Sequence, residues 1–248
     1  MHKKKTYSPI FITGIERSGN SIIAKIIKAC GGFMGVTTEM YENIQINKLF
    51  YEYYNSINAD PKGQYPLPDT KQLIIPTDWK QKVENILIDE RYESKQPWVC
   101  KGSRLSQTWP IWFDAFPSAK WIIVRRRPSD IIQSCLKTGY MTAFTKEASW
   151  NSINVTDEAS AWLWWIKEHE KRFVDMWVAG MNCKQVWPER MVTGDFQQMI
   201  EAIEWLGLTW DDEIIEMVDK LLWNSKQKEK GVKYGSKSNS SRSKSNNG

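Results

Sequence analysis

The sequence predicts a single α/β domain, a parallel β-sheet flanked by helices. Three observations carry this expectation. Short apolar runs alternate with stretches of helical period along most of the chain. The first of these runs passes through a glycine-flanked turn, Gly14 to Gly19, directly into an amphipathic helix. The strongest run, Lys-Trp-Ile-Ile-Val-Arg at 120–125, is apolar without alternation, which suits a parallel strand covered on both faces.

In chain order, residues 1–7 form a loose basic arm and Ser8–Thr13 a strand. Ser18 or Gly19 opens a helix whose apolar positions Ile22, Ile23, Ile26, Ile27 and Cys30 recur with helical period, and Gly31-Gly32 stops it. A short extended piece follows at Phe33–Val36. A helix is expected from about Glu42 to Ile57, with Ile44, Ile46, Leu49, Phe50 and Tyr53 on one face. Residues 58–76 hold four of the ten prolines and form a long loop, of a length that is often functional. Thr77 caps a helix to about Arg91, with Val83, Ile86 and Leu87 inward.

Pro97–Lys101 is a second core strand, and after Gly102-Ser103-Arg104 a short helix runs to Phe116. Lys120–Arg125 is the third strand. Pro128 suits the first position of the next helix, which runs through Leu136. The longest helix, Asp157–Met176, carries Trp162, Trp164, Trp165 and Phe173, with Trp177 just beyond; core packing is the expected role of these rings. Lys184–Trp187 is a fourth strand, and Gly194–Leu206 and Asp211–Trp223 are closing helices. Residues 224–248 are Lys/Ser/Asn/Gly with almost no apolar content and are expected to be a disordered tail. The folded domain is thus 8–223, with right-handed crossovers between strands.

The net charge of +5 sits at the ends. Residues 224–248 have seven Lys/Arg against one Glu, and Lys3, Lys4 and Lys5 lie at the other terminus, so the body between is net acidic. A folded nucleic-acid-binding face would need clustered cations, so no specific nucleic-acid partner is expected. Cys30, Cys100, Cys135 and Cys183 are scattered, with no C-x-x-C and no paired histidines, which argues against a metal site and fits a reducing compartment. The run Ile10–Ile15 is too short for a signal core or a membrane span. A cytoplasmic protein is the resulting expectation.

Gly14 and Gly19 are five apart and Ser21 follows two later, which is the spacing G-x-x-x-x-G-K-[ST] with Asn20 at the lysine position. Such a strand–loop–helix aims backbone amides and a helix N-terminus at one point and suits a phosphate. The alternative is a tight turn whose glycines serve geometry alone. A ligand without β- and γ-phosphates has no use for the missing lysine. Ligands of open parallel sheets sit beyond the strands' C-terminal ends. Three such ends carry donors here: Arg17-Ser18 after the first, Lys101 and Arg104 after the second, Arg125-Arg126-Arg127 after the third. If adjacent, they form one anion site.

These segments in order, Ile-Thr-Gly-Ile-Glu-Arg-Ser-Gly-Asn-Ser, Lys-Gly-Ser-Arg-Leu, and Arg-Arg-Arg-Pro-Ser-Asp-Ile-Ile-Gln-Ser, resemble the PAPS-dependent sulfotransferases. Glu204-Trp205-Leu206-Gly207-Leu208 is similar to that family's closing F-L-G-L segment, so the likeness spans about residues 8–210. The resemblance implies a P-loop-like fold and transfer of a sulfuryl group from PAPS to a hydroxyl or amine, with release of PAP and no metal. It implies that Gly14, Arg17, Ser18, Gly19, Asn20 and Ser21 hold the 5′-phosphosulfate, and that Arg126 and Ser134 hold the 3′-phosphate. It also implies a glutamate base after the second extended segment, either Glu42, in Tyr41-Glu42-Asn43, or Glu39. Lys101 and Arg104 would assist, placing substrate or sulfonate. Tyr65, in the proline-rich loop expected over the cleft, is a candidate for acceptor contact.

The acceptor implied is a small molecule, a glycan or a protein side chain. Asn20 stands where the family has Thr or Ser, Gly102-Ser103 replaces Asp-Pro, and Ile22 occupies the position of an adenine-stacking aromatic. Two other functions compete: a P-loop small-molecule kinase, disfavoured by the absent lysine and the basic strand end, and a non-catalytic nucleotide-binding relative.

Overall fold

The computed structural model describes residues 7–218. The predicted tail at 224–248, all of the basic arm but Tyr7, and the end of the last predicted helix lie outside the described residues. The elements run β1 (Ile10–Gly14), α1 (Asn20–Ala29), α2 (Ile44–Ser56), α3 (Trp79–Asp89), β2 (Val99–Lys101), α4 (Arg104–Gln107) and α5 (Trp109–Ala115). They continue with β3 (Lys120–Val124), α6 (Pro128–Lys137), α7 (Glu147–Asn151), α8 (Glu158–Val178), β4 (Asn182–Val186), α9 (Pro188–Val192) and α10 (Gln197–Leu206). Residues 213–218 are helical.

The four strands form one sheet in the order β2-β1-β3-β4, every pair parallel. This is the expected α/β class, and the site depends on the strand order. β1 is central, flanked by β2 and β3, so the three cation-bearing strand ends share one edge.

Alternation along β1 divides the core. Phe11 points to one face, where its ring meets Trp98, Trp112 and Trp121 edge-on at 5.3, 5.1 and 4.7 Å between centroids. Such pairs add to the burial of large apolar rings. Trp162 and Trp165 of α8 are wholly buried in this same cluster and Trp164 packs against it, as expected, but Trp177 is exposed and does not join the core. Ile10 and Ile12 point to the other face, against Ile23, Ile26 and Ile27 of α1 and Met199, Ala202 and Ile203 of α10.

Local chemistry explains where boundaries differ from expectation. The predicted extended piece 33–36 reduces to one bridge, Phe33 to Trp98, because Gly35 turns the chain with φ 63°. The helix expected from Glu42 starts at Ile44, since the Asn43 side chain accepts from the Ile46 amide and caps it. The segment after Ser103 is two helices. Pro110 has no N–H for a continuous helix, and the chain breaks at Thr108. The short helices α7 and α9 carry too little periodicity to stand out in the sequence. Asp157, the expected first residue of the longest helix, caps α8 through the Ser160 amide, and Gly207, at φ 82°, ends α10 where the sequence placed the break.

Candidate active site

Register brings the three motifs together. Ile12 pairs with Lys101 and Gly14 with Val124, so the loop 15–19, the residues after Lys101, and Arg125–Arg127 emerge side by side.

The loop after β1 is braced from inside. A Cβ on Gly14 would lie 2.5 Å from both Asn20 Oδ1 and the Val124 carbonyl oxygen, so only glycine fits. Ser18 Oγ donates to the Ile15 carbonyl at 2.6 Å. Asn20 Nδ2 points back to the carbonyls of Gly14 (3.2 Å) and Ile15 (3.3 Å). Both side chains are buried, so what this segment turns outward is backbone. Arg17 (φ 70°) and Gly19 (φ 97°) are left-handed and complete the turn. The amides of Arg17, Gly19, Asn20 and Ser21 have no protein acceptor among the described residues, as expected for a turn that ends in a helix N-terminus. Ser21 Oγ lies on the outer side and donates to the Met40 carbonyl at 3.3 Å.

The second phosphate-type motif touches this loop directly. Arg17 Nε donates to Ser134 Oγ of α6 at 2.9 Å, and Arg126 Nη1 donates to the Arg17 carbonyl at 2.7 Å. The three consecutive arginines differ in their nearest partners, although Arg126 and Arg127 both lie within 4.0 Å of Glu189 Oε1. Arg125 turns to Glu170 of α8 (2.6 Å) and lies over the Phe173 ring. Arg127 pairs with Asp130 at 2.8 Å. Arg126 alone of the three contacts the loop.

Beside it, Lys101 Nζ is 2.8 Å from Glu42 Oε1, with the lysine side chain only 7% exposed. Asn47 Nδ2 donates to Glu42 Oε2 at 3.1 Å, and Arg104 Nη2 lies 3.8 Å from the same oxygen. Arg104 is itself held by the Asn47 Oδ1 (2.7 Å) and Pro61 carbonyl (2.9 Å) oxygens. Burial alone would raise the Glu42 carboxyl, but the Lys101 charge and hydrogen bond, the Asn47 amide and Arg104 together hold it below the ordinary range. Glu39, the other candidate base, is exposed to solvent on the turn before Glu42.

Tyr65 is directed elsewhere. Its hydroxyl is 3.0 Å from Ser152 Oγ and its ring packs on Phe144 and Trp164, at the α7–α8 side. The loop that carries it is tied down. Asp60 accepts from the amides of Lys62, Gln64 and Tyr65, and the Gln64 side chain bonds the Tyr140 carbonyl and the Thr142 amide. Gln107 donates to the Gly63 carbonyl at 2.7 Å and receives the Tyr54 hydroxyl at 2.8 Å. His169 is fully buried beside Gln107, and burial, reinforced by Arg172, keeps it neutral.

Sequence reasoning passed over Glu16. Its Oε1 accepts from Ser103 Oγ at 3.0 Å, and its Oε2 is buried without any partner. Burial, and then the nearby Glu42 charge, push this carboxyl up to about 7 against the opposing effects of Ser103, Arg104 and Lys101. The available signal was one acidic residue in a loop that otherwise offers only anion donors.

Among the described residues, no three His, Cys, Asp or Glu side chains cluster as metal ligands, and no helix is long and apolar enough to cross a membrane. The four cysteines are free thiols, all raised by burial.

A family model described as sulfotransferase family matches residues 9–212. The fold is similar to that of sulfotransferase STF9 from Mycobacterium avium, with 14% identity, TM-score 0.52, and coverage of 89% of this chain and 69% of that one. It is also similar to the sulfotransferase domain from the curacin biosynthetic pathway (13% identity, TM-score 0.54, 85% and 77% coverage). A third likeness is to the sulfotransferase domain of the Synechococcus PCC 7002 olefin synthase (14% identity, TM-score 0.52, 86% and 78%). No curated protein matches by sequence.

Proposed function

We propose that this chain, which belongs to the sulfotransferase family, moves a sulfuryl group from PAPS to a hydroxyl or amine and releases PAP. The observation that carries this reading is the pair of contacts joining Arg126 to the Arg17 carbonyl and Arg17 to Ser134. Two motifs separated by most of the domain thereby become one anion-binding edge.

The residues at that edge suit such a donor. The loop has no side chain at Gly14, and the amides of Arg17, Gly19, Asn20 and Ser21 await acceptors. Bound PAPS supplies a sulfuryl group already activated by attachment to a phosphate oxygen. Arg17, the loop amides and the start of α1 stabilise negative charge at the 5′ end, where it grows as sulfur departs. Arg126, with a planar guanidinium suited to a dianion, and Ser134 bind the 3′-phosphate. Ser18 and Asn20 act by keeping the turn in shape.

Lys101, Glu42 and Arg104 form the acceptor end. Lys101 offers a fixed positive charge to the transferring group, and Glu42 and Arg104 hold that lysine and the adjoining loop in position. Positioning and charge stabilisation are what this class of transfer needs. The acceptor must also lose a proton, and carboxylates are the groups here suited to take it. We leave Glu39 and Tyr65 out of the site, because one faces solvent and the other packs against α7 and α8.

Thermal unfolding with added PAP or with ATP and magnesium tests the reading. At about one hundred times the dissociation constant, a ligand of the folded state adds about 2.7 kcal/mol. That is a rise of several degrees for a domain of this size. Stabilisation by PAP is expected. Stabilisation by ATP–magnesium alone overturns the reading in favour of a kinase.

A further inference from the structure

We propose that Glu16 takes the acceptor's proton during transfer, while Glu42 remains an anion that positions Lys101. This rests on the sulfotransferase reading and names a catalytic residue within it.

The two carboxylates differ in what their oxygens already do. Both oxygens of Glu42 are engaged, Oε1 by Lys101 and Oε2 by Asn47 with Arg104 nearby. A proton on Glu42 would leave the buried Lys101 ammonium without its counter-ion, a costly arrangement. Glu16 has one oxygen held by Ser103 Oγ and the other buried with no partner. An unpartnered buried carboxylate oxygen is the kind of group that gains by receiving a proton.

Location agrees. Glu16 directly precedes Arg17 in the loop after β1, and Ser103 ties it to the chain after β2. It therefore stands at the seam between the donor loop and the Lys101 group. Next to Ser103, Gly102 is buried but has room beside it, since a Cβ there meets nothing within 4 Å. The Glu16 residue as a whole is half-buried. Its terminal torsion is soft, so either carboxylate oxygen can turn toward the room beside Gly102.

Electrostatics support the same division. The groups facing Glu16 are Glu42 from the loop before α2, Lys101 from β2 and Arg104 from α4. Tyr54 of α2, Cys135 of α6 and Tyr140 after α6 also sense its charge. Within this set Glu16 is raised to about 7 and Glu42 is lowered, and carboxylates driven apart in this way divide into base and permanent anion.

In the step itself, the acceptor's O–H or N–H bond breaks and its proton goes to a Glu16 lone pair. The electron pair left on the acceptor forms the new bond to sulfur. The bond from sulfur to the phosphate oxygen breaks, and its pair leaves with PAP. Glu16 returns the proton to water.

The test uses the full chain, Glu16→Gln and Glu42→Gln, with three measurements. The first is the carboxyl resonances of 13C-glutamate-labelled protein against pH. The second is the thermal shift with PAP. The third is PAPS turnover, with phenol, un-ionised across the pH range used, as hydroxyl probe and water as default acceptor. One carboxyl should titrate near neutrality, vanish in Glu16→Gln and persist in Glu42→Gln. Glu16→Gln should keep the PAP shift, lose about 100-fold or more in kcat, and lose the acidic limb of the kcat–pH profile. Glu42→Gln should lower turnover yet keep that limb. Ser103→Ala, which removes a donor to the carboxylate, should move both limb and resonance to higher pH.

The proposal is overturned if no glutamate titrates near neutrality, or if that resonance survives Glu16→Gln. A limb that persists in Glu16→Gln, or one that Ser103→Ala leaves in place, overturns it as well. Failure of PAP to stabilise the unsubstituted protein counts against the sulfotransferase reading instead.

Discussion

Arg17 Nε donates to Ser134 Oγ at 2.9 Å, a contact between residues 117 apart in the chain. It joins the turn after β1 to the second turn of α6. The Arg17 carbonyl meanwhile accepts from Arg126 at 2.7 Å, so one residue links the donor loop to both halves of the later motif. Neither link is required by local structure, and both lie at the edge proposed to hold PAP.

Removing the guanidinium that reaches the loop should weaken PAP recognition. Arg126→Ala is expected to weaken PAP by at least tenfold, since charge-assisted hydrogen bonds contribute on the order of 1.5–3 kcal/mol. Ser134→Ala, a neutral hydroxyl loss, should cost less. Titration calorimetry with PAP reads both, and an unchanged affinity in Arg126→Ala removes that residue from the 3′-phosphate site.

The two glycines at the strand ends should respond unequally to alanine. Gly14→Ala drives a methyl into the Val124 carbonyl and the Asn20 amide, and overpacking of this kind costs about 1–3 kcal/mol. Gly102→Ala meets nothing within 4 Å and should change stability by less than about 0.5 kcal/mol. Urea unfolding of the two variants makes the comparison, and equal midpoints would contradict the packing described.

Asn20 braces the loop by donating to two carbonyls. Asn20→Ala should cost about 1–3 kcal/mol, the usual penalty for stranding buried acceptors. Asn20→Lys, which completes the nucleotide-triphosphatase spacing, should also destabilise, because the position is buried. It should confer no stabilisation by ATP–magnesium. A gain of ATP binding in that variant would mean the side chain at 20 can turn outward.

Stability should depend on pH with two opposite slopes. Glu16 is raised from 4.5 to about 7, so the folded state binds its proton more tightly than the unfolded state. Its contribution is fully present below pH 4.5 and is lost as pH rises through about 7. The size is on the order of 3 kcal/mol, at about 1.4 kcal/mol per pH unit. Glu42 is lowered, so its contribution is present above pH 4.5 and is lost as pH falls through its folded value. Chemical denaturation from pH 4 to 8 should show a decline toward neutrality that Glu16→Gln abolishes. A wild-type profile flat over that range would remove the raised carboxyl.

Much of the architecture was legible in one dimension because the relevant chemistry is local. Ile10–Gly14 and Lys120–Val124 are apolar runs long enough for strands, and Gly207 and Asp157 end and begin helices by their own backbone and side-chain properties. The Gly14–Ser21 spacing likewise announced a turn with free amides, and the family motifs lay in order. Where periodicity was short, as in α7 and α9, the elements were invisible.

Partner choice was not local, and there tertiary contacts ruled. Arg125, Arg126 and Arg127 look alike in the chain, but Arg125 turns to Glu170, while Arg126 and Arg127 share Glu189 and differ in that Arg126 also reaches the Arg17 carbonyl and Arg127 Asp130. The family resemblance favoured Glu42 over Glu39 through Tyr41-Glu42-Asn43, and only the fold shows that Glu39 faces solvent while Glu42 lies on Lys101. Glu16 carried little mark of function, because its raised carboxyl comes from burial and from proximity to Glu42, against the lowering effect of the Ser103 hydrogen bond, and the fold alone brings those groups beside it. Spacing along a chain specifies which backbone groups are free. Desolvation and charge depend on what the fold packs around them, and those quantities decide the chemistry of a carboxylate.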